Sequence, residues 1–320
     1  MQIIFDCSEA AIKKAAQALI GGNLVAFPTE TVYGLGADAM NEKAVCRLYS
    51  VKARPKNHPV IVHISSINKL GIWTADVPDY AIKLARKFWP GPLTLILKRS
   101  GLVEDYITGG QDKVGIRVPN QPVALELLKQ FEQLGGIGIA APSANKFGAV
   151  SPTSAVATQE EIGAFLGAED LVLDGGQCLI GIESTIVDCT KYRPEILRPG
   201  AVTIEMVENT TKLPLALNLS KSDVKTSGLL QTHYSPKAKV VLDQNPEAGD
   251  GFISMASLPT PKGVMRLASP TSIDEFAREL YVAFRAADVR GLKKIVVIQP
   301  EGGGLAIAIR DRLRKAASGK

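Results

Sequence analysis

The sequence predicts an α/β protein with a larger N-terminal domain built on an open, twisted sheet and a smaller α/β domain after it. Three observations carry this. Short apolar, β-branched runs alternate with segments of helical period along most of the 320 residues. That pattern fades between about residues 205 and 235 and then starts afresh. The length also exceeds what one ordinary core holds. The divisions are therefore 1–205 for the larger domain, 206–236 for a linker or arm, and 237–320 for the small domain.

In the first domain, residues 8–20 place Ile12, Ala15, Ala16, Leu19 and Ile20 on one helical face, with Ser8 as N-cap and Gly21-Gly22 as the stop. Leu24–Phe27 reads as a buried strand that Pro28 ends, because proline donates no N–H to a ladder. The polar stretch PTETVYGLG (28–36) follows, at the strand end where open α/β sheets bind ligands, although a hydroxyl-rich turn around a packed tyrosine is an equal reading. A helix over 41–50, a strand over 59–64 and a helix over 80–88 come next. Strands over 93–97, 114–118, 137–141, 171–173 and 185–187, with helices over 123–133 and 154–166, complete the domain. Beyond the arm, strand-like runs at 240–242, 252–254, 264–267 and 295–298 and helices at 272–286 and 305–317 give a Rossmann-like layering. The run Gly302–Gly304 is no dinucleotide fingerprint and no P-loop sequence occurs, so a nucleotide would bind by other means.

Composition narrows the class. Hydrophobic residues make up 46% and charged residues 22%, as in a soluble globular protein, and no apolar run is long enough to span a membrane. The N-terminus lacks the basic and apolar regions of a signal peptide, and the four cysteines show no metal or disulfide spacing, which points to the cytoplasm. The net charge of +5 is uneven: residues 1–205 carry 20 Lys/Arg against 21 Asp/Glu, the remainder 17 against 11. Much of the excess lies in Arg310, Arg312, Arg314 and Lys315, which reads as a solvated helix face. An anion bound by the first domain would meet a local cluster of cations and not a broad field.

Such a cluster is suggested by KARPK, where Lys52, Arg54 and Lys56 alternate on chain read as extended; a solvated basic loop is the competing reading. His58 and His63 follow, the second inside an apolar strand where a core histidine is usual. Arg117 lies within a strand and must meet a carboxylate or a ligand. Ser143 and Asn145 follow a buried strand in APSANKFG. Ser151 precedes a helix, as either a cap or a phosphate contact. Ser184 and Arg198 lie in GIESTIVD and LRPGAV. Hydroxyls and cations thus recur at strand ends through 170 residues, and no catalytic triad, thiol pair or His/Cys metal cluster accompanies them. That favours chemistry by positioning and charge neutralisation on a polyanion.

Together PTETVYGLG, K-x-R-P with HPVIVHI, PSAN…SPT, GIESTIVD and LRPGAV resemble the YrdC-type threonylcarbamoyl-AMP synthases, and HYSPKA with a small second domain resembles their two-domain form. The resemblance implies a YrdC-like twisted sheet with a concave basic pocket. It also implies synthesis of L-threonylcarbamoyl-AMP from L-threonine, bicarbonate or CO2, and ATP, with release of pyrophosphate. That is the first step in modifying the adenosine beside the tRNA anticodon, with a threonylcarbamoyl transferase complex downstream. Carried over by motif, Lys52, Arg54, Ser143 and Asn145 would surround the phosphates and carbamate. Thr31, His63, Arg117, Ala141 and Ser184 would hold threonine. Arg54, His58, Lys113, Ser143, Ser151, Arg198 and Tyr234 would contact ATP, and Mg2+ would arrive with the phosphates. The apolar pair Leu179-Ile180 departs from the family pattern in a loop before GIESTIVD. The arm around His233, Tyr234 and Ser235 is expected to close over the pocket. Two alternatives stand beside this. One is a carbamoyl-adenylate-forming carbamoyltransferase, although the zinc-finger-like cysteines of such proteins are missing here. The other is a module that contacts tRNA or double-stranded RNA.

Overall fold

A computed structural model of the chain describes residues 2–4, 7–215 and 234–319. The catalytic-size domain opens with β1 (Gln2–Ile4), α1 (Glu9–Ile20) and β2 (Val25–Phe27). Ser8 caps α1 by accepting from the Ala11 amide at 3.3 Å, as its sequence position predicts. Next come β3 (Gly34–Asp38), α2 (Glu42–Lys52), β4 (Ile61–His63), α3 (Leu70–Trp73), β5 (Thr74–Asp76), α4 (Asp79–Phe88) and β6 (Leu93–Arg99). The domain continues through α5 (Asp105–Thr108), β7 (Lys113–Arg117), α6 (Pro122–Gln133), β8 (Ile139–Ala140), α7 (Ala155–Ile162), β9 (Leu171–Leu173), β10 (Thr185–Asp188), β11 (Glu195–Arg198) and α8 (Ile204–Thr211).

These strands form one mixed sheet in the order β1-β9-β2-β3-β8-β4-β7-β6-β10-β11, with β5 pairing on β6. Mixed pairing brings three strand ends together. His63 of β4 lies level with Arg117 of the parallel β7. Thr185 of β10 lies level with Leu93 of β6, which leaves Ser184 at the sheet's rim. A single bridge joins Gly34 to Ser143, so the stretches after β2 and β8 meet there.

Several differences from the sequence reading have clear causes. β3 is masked by glycine, yet its backbone has no room for a side chain: a Cβ on Gly36 would lie 2.8 Å from Ile139 and 2.9 Å from Phe27. α8 occupies residues that composition assigns to the arm, and it packs on α4. Ser151 stands before Ser154, the residue that caps α7, and so is not at the helix terminus. KARPK is not extended at its start, because Lys52 is the last residue of α2 and Ala53 turns left-handed at φ 50°.

The small domain contains β12 (Lys239–Leu242), β13 (Gly251–Ile253), β14 (Met265–Ala268), α9 (Ile273–Val289), β15 (Lys294–Val297) and α10 (Leu305–Ala317). Its sheet is parallel throughout, in the order β12-β15-β13-β14, and α9 and α10 share one apolar core with it. That core also takes in Val32, Val150 and Ile182 of the first domain, so the two domains share buried surface. A Cβ on Gly181 would lie 2.5 Å from the Arg278 backbone, a contact that only glycine permits. The cationic face expected on α10 is not wholly solvated: Arg312 has no exposed surface. Among the described residues no helix is long and apolar enough to cross a membrane.

Candidate active site

Eleven of the fourteen residues expected at the site line one pocket of about 50 Å³: Thr31, Lys52, Arg54, His63, Arg117, Ala141, Ser143, Asn145, Ser184, Arg198 and Tyr234. They come from eight separate stretches of the chain, brought together largely by the strand ends. Thr29, Val32, Gly34, Ile61, Pro142, Phe147 and Glu183 complete the lining.

Thr29 organises the first wall. Its Oγ1 donates to the Val32 carbonyl at 2.6 Å and accepts from the Thr31 and Val32 amides, both at 3.2 Å. The turn reading of PTETVYGLG holds, and the same hydroxyl turn places Thr31 in the pocket lining. Tyr33 is fully buried and donates to the Gly176 carbonyl at 2.8 Å, which fixes the back of the loop. Arg117 Nη1 donates to Thr31 Oγ1 at 2.9 Å, and Nη2 forms an ion pair with Glu30 at 2.7 Å. Of the two alternatives for a strand arginine, Glu30 supplies the core carboxylate, and the guanidinium also lines the pocket. His63 packs edge-on against Phe27. Burial, with Arg117 beside it, pushes His63 down to about 3, so its imidazole is neutral.

The opposite wall is cationic. Lys52 is almost completely buried, and its Nζ donates to the Ser143 and Asn145 carbonyl oxygens. Burial, with Arg54 nearby, holds this ammonium well below the usual lysine range. Arg54 Nη2 donates to the Pro59 carbonyl at 2.7 Å, and its guanidinium lies 5.7 Å from the centre of the Phe147 ring. Burial lowers its pKa too. Asn145 uses its Nδ2 on the Lys146 and Ala149 carbonyls at 2.7 and 2.8 Å, which closes the loop, while its buried Oδ1 meets no hydrogen-bond partner among the described residues. Ser143 is half-buried beside it. Arg198 donates from Nε to the Ser184 carbonyl at 3.0 Å and from Nη2 to Ser184 Oγ at 3.1 Å, and Ser184 Oγ also shares a 2.8 Å hydrogen bond with Thr94. Buried cations held by neutral oxygens present a strong field to any anion that enters.

Three expected residues lie outside the lining. Lys113 is 3.5 Å from Asp188, His58 stacks edge-on against Phe147, and Ser151 donates to Glu183 at 2.7 Å. Ser151 and His58 therefore touch pocket residues from behind. Lys56, the third cation of KARPK, is exposed. Of the arm residues, Tyr234 lines the pocket and is buried, whereas His233 lies outside the described residues. Sequence reasoning missed Glu183 and Phe147. Glu183 lay inside a quoted motif, and a carboxylate at an anion site carries no signal until its partners are known.

Residues 17–200 match a family model described as telomere recombination, covering Sua5, YciO and YrdC proteins, and residues 202–318 match one described as threonylcarbamoyl-AMP synthase, C-terminal domain. The chain is 39% identical to the threonylcarbamoyl-AMP synthase of Pyrococcus abyssi, over 97% of this chain and 94% of that one. It is 35% identical to the Bacillus subtilis protein of the same name, over 98% and 94%. Among solved structures it is similar to Pyrococcus abyssi Sua5 complexed with L-threonine, with a TM-score of 0.89 and 36% identity, covering 100% of this chain and 98% of that one.

Proposed function

The chain belongs to the two-domain threonylcarbamoyl-AMP synthases, and from that premise we propose how its pocket divides the reaction. The enzyme joins L-threonine, bicarbonate or CO2, and ATP into L-threonylcarbamoyl-AMP and pyrophosphate. Threonine occupies the Thr31, His63, Arg117, Ala141 and Ser184 side, its carboxylate on Arg117. The phosphates occupy the side of Lys52, Arg54, Ser143, Asn145 and Arg198. Threonine's neutral amine adds to CO2 and loses its extra proton to solvent, giving a carbamate whose oxygen attacks the α-phosphorus while the bond to pyrophosphate breaks. The electron pair leaves on pyrophosphate, and the wall of cations meets the charge that develops. The observation that carries this reading is the convergence of those cations and of Arg117–Thr31 on one enclosed pocket.

The product is a mixed anhydride that water destroys, so an enclosed pocket suits it. Tyr234, at the described end of the arm, lines the pocket, and the arm is expected to close over bound substrates and shield the anhydride from water. Mg2+ would arrive with ATP, held by its phosphates and water, and Glu183, the carboxylate of the pocket, has both oxygens engaged by protein donors. The reaction is placed in the cytoplasm, ahead of the transferase that delivers the threonylcarbamoyl group to tRNA.

The test is pyrophosphate release by the purified chain. Release that requires threonine, bicarbonate and ATP together is expected. Release indifferent to threonine contradicts the reading.

A further inference from the structure

Arg312 belongs to α10 of the small domain, yet its side chain is fully buried against the first domain. A guanidinium has five donors and keeps its charge, so such burial demands acceptors. Nε donates to Glu183 Oε2 at 2.8 Å, Nη1 to Asp311 at 2.6 Å, and Nη2 reaches the Glu183 carbonyl at 3.4 Å. Tyr281 of α9 donates to the same Glu183 Oε2 at 3.0 Å, and Ser151 holds the other oxygen. Two of the three side chains that grip this pocket carboxylate therefore come from the small domain. The Arg312 guanidinium also lies 5.3 Å from the centre of the Tyr234 ring, which stacks on Tyr281 at 5.8 Å and 25°.

A bare carboxylate in the wall of a polyanion site would repel the ligand. It would also compete for Arg198, which the nucleotide needs. We propose that Arg312 is a positioning residue for nucleotide binding: it neutralises Glu183, holds it toward the domain boundary, and seats the ring of Tyr234. The small domain then completes the pocket, and parting the domains would uncover the Glu183 charge and unseat Tyr234 in one event. Burial raises the Glu183 carboxyl, but Arg312 and Arg198 outweigh this and hold it down to about 2, consistent with a firmly ionised group. The inference rests on the reading that ATP enters this pocket.

The experiment compares full-length wild type with Arg312→Met, Glu183→Gln and the double variant, measuring KM for ATP and for threonine in pyrophosphate release, with melting curves alongside. Arg312→Met should raise KM for ATP about tenfold or more while moving KM for threonine less than about threefold, because the stranded carboxylate faces the phosphates. The double variant, with neither charge, should recover much of the ATP affinity, which a purely structural role would not allow. Equal rises in both KM values, or a double variant no better than Arg312→Met, would overturn the proposal. Should Arg312→Met not fold, Tyr281→Phe decides: a rise of about threefold in KM for ATP alone supports the proposal, and no rise overturns it. A wild type that releases pyrophosphate without threonine would instead overturn the reading beneath it.

Discussion

Two sets of buried cations border one pocket, and they differ in what holds them. Lys52, Arg54 and Arg198 give hydrogen bonds to neutral oxygens, namely the carbonyls of Ser143, Asn145, Pro59 and Ser184 and the Ser184 hydroxyl. Arg117 and Arg312 face the carboxylates of Glu30 and Glu183 at 2.7 and 2.8 Å. A buried charge held mainly by dipoles is costly until a counter-charge arrives, whereas a buried pair is balanced on its own. The pocket thus surrounds Lys52, Arg54 and Arg198 with carbonyl and hydroxyl oxygens, whereas Arg117 and, at the domain boundary, Arg312 sit directly on carboxylates. This contrast tells more than the net charge, which for the first domain is close to zero.

The largest effect expected is on the set held by neutral oxygens. Lys52→Ala and Arg54→Ala should each cut pyrophosphate release by about 100-fold or more. Lys52→Ala should also lower the melting temperature, since it leaves the 143–145 loop without its buried donor. Near-normal turnover in either variant would break the contrast.

Next in size, Arg117→Ala should weaken threonine binding by about 1.5–3 kcal/mol, the value of a charge-assisted pair. Because it strands Glu30, it should also cost about 3 kcal/mol of stability, visible in denaturant unfolding. A variant that loses ATP affinity while keeping threonine affinity would reverse the assignment of the two sides.

A smaller effect concerns pH. His63 is neutral when folded and held at about 3 against an ordinary 6.5, so unfolding binds a proton below pH 6.5. Its contribution to stability is present above pH 6.5 and is lost as pH falls toward 3, at up to about 1.4 kcal/mol per pH unit. His63→Gln should flatten the fall in melting temperature over the upper part of that window. An unchanged slope would mean that the imidazole is not buried neutral. The smallest effect expected is that of Tyr234→Phe, which keeps the ring on Tyr281 and under Arg312 and should change KM for ATP by only about twofold.

Much of this was legible in the sequence because it is local. Ser8 before an apolar-periodic run, Pro28 after a buried strand, and the grouped polar residues of PTETVYGLG and PSAN act within a few positions of one another. What the sequence hid depends on distant partners. Gly36 looks like a turn residue, and only Ile139 and Phe27 across the sheet show why it is a strand residue. Ser151 reads equally as a cap or a phosphate contact; Ser154 takes the cap, and the hydroxyl of Ser151 instead donates to Glu183, a partner 32 residues away. Arg312 shares its helix with solvated cations, and no pattern distinguishes it until α10 meets Glu183. Residues 206–211 read as linker because a short helix with mixed polar residues has weak periodicity, and packing on α4 supplies what propensity does not.

The division of charge is tested most directly by calorimetric titration of ATP and of L-threonine, each into Arg54→Ala and Arg117→Ala. The prediction is a crossed pattern, in which Arg54→Ala loses ATP and keeps threonine, and Arg117→Ala loses threonine and keeps ATP. Parallel losses of both ligands in both folded variants would contradict it.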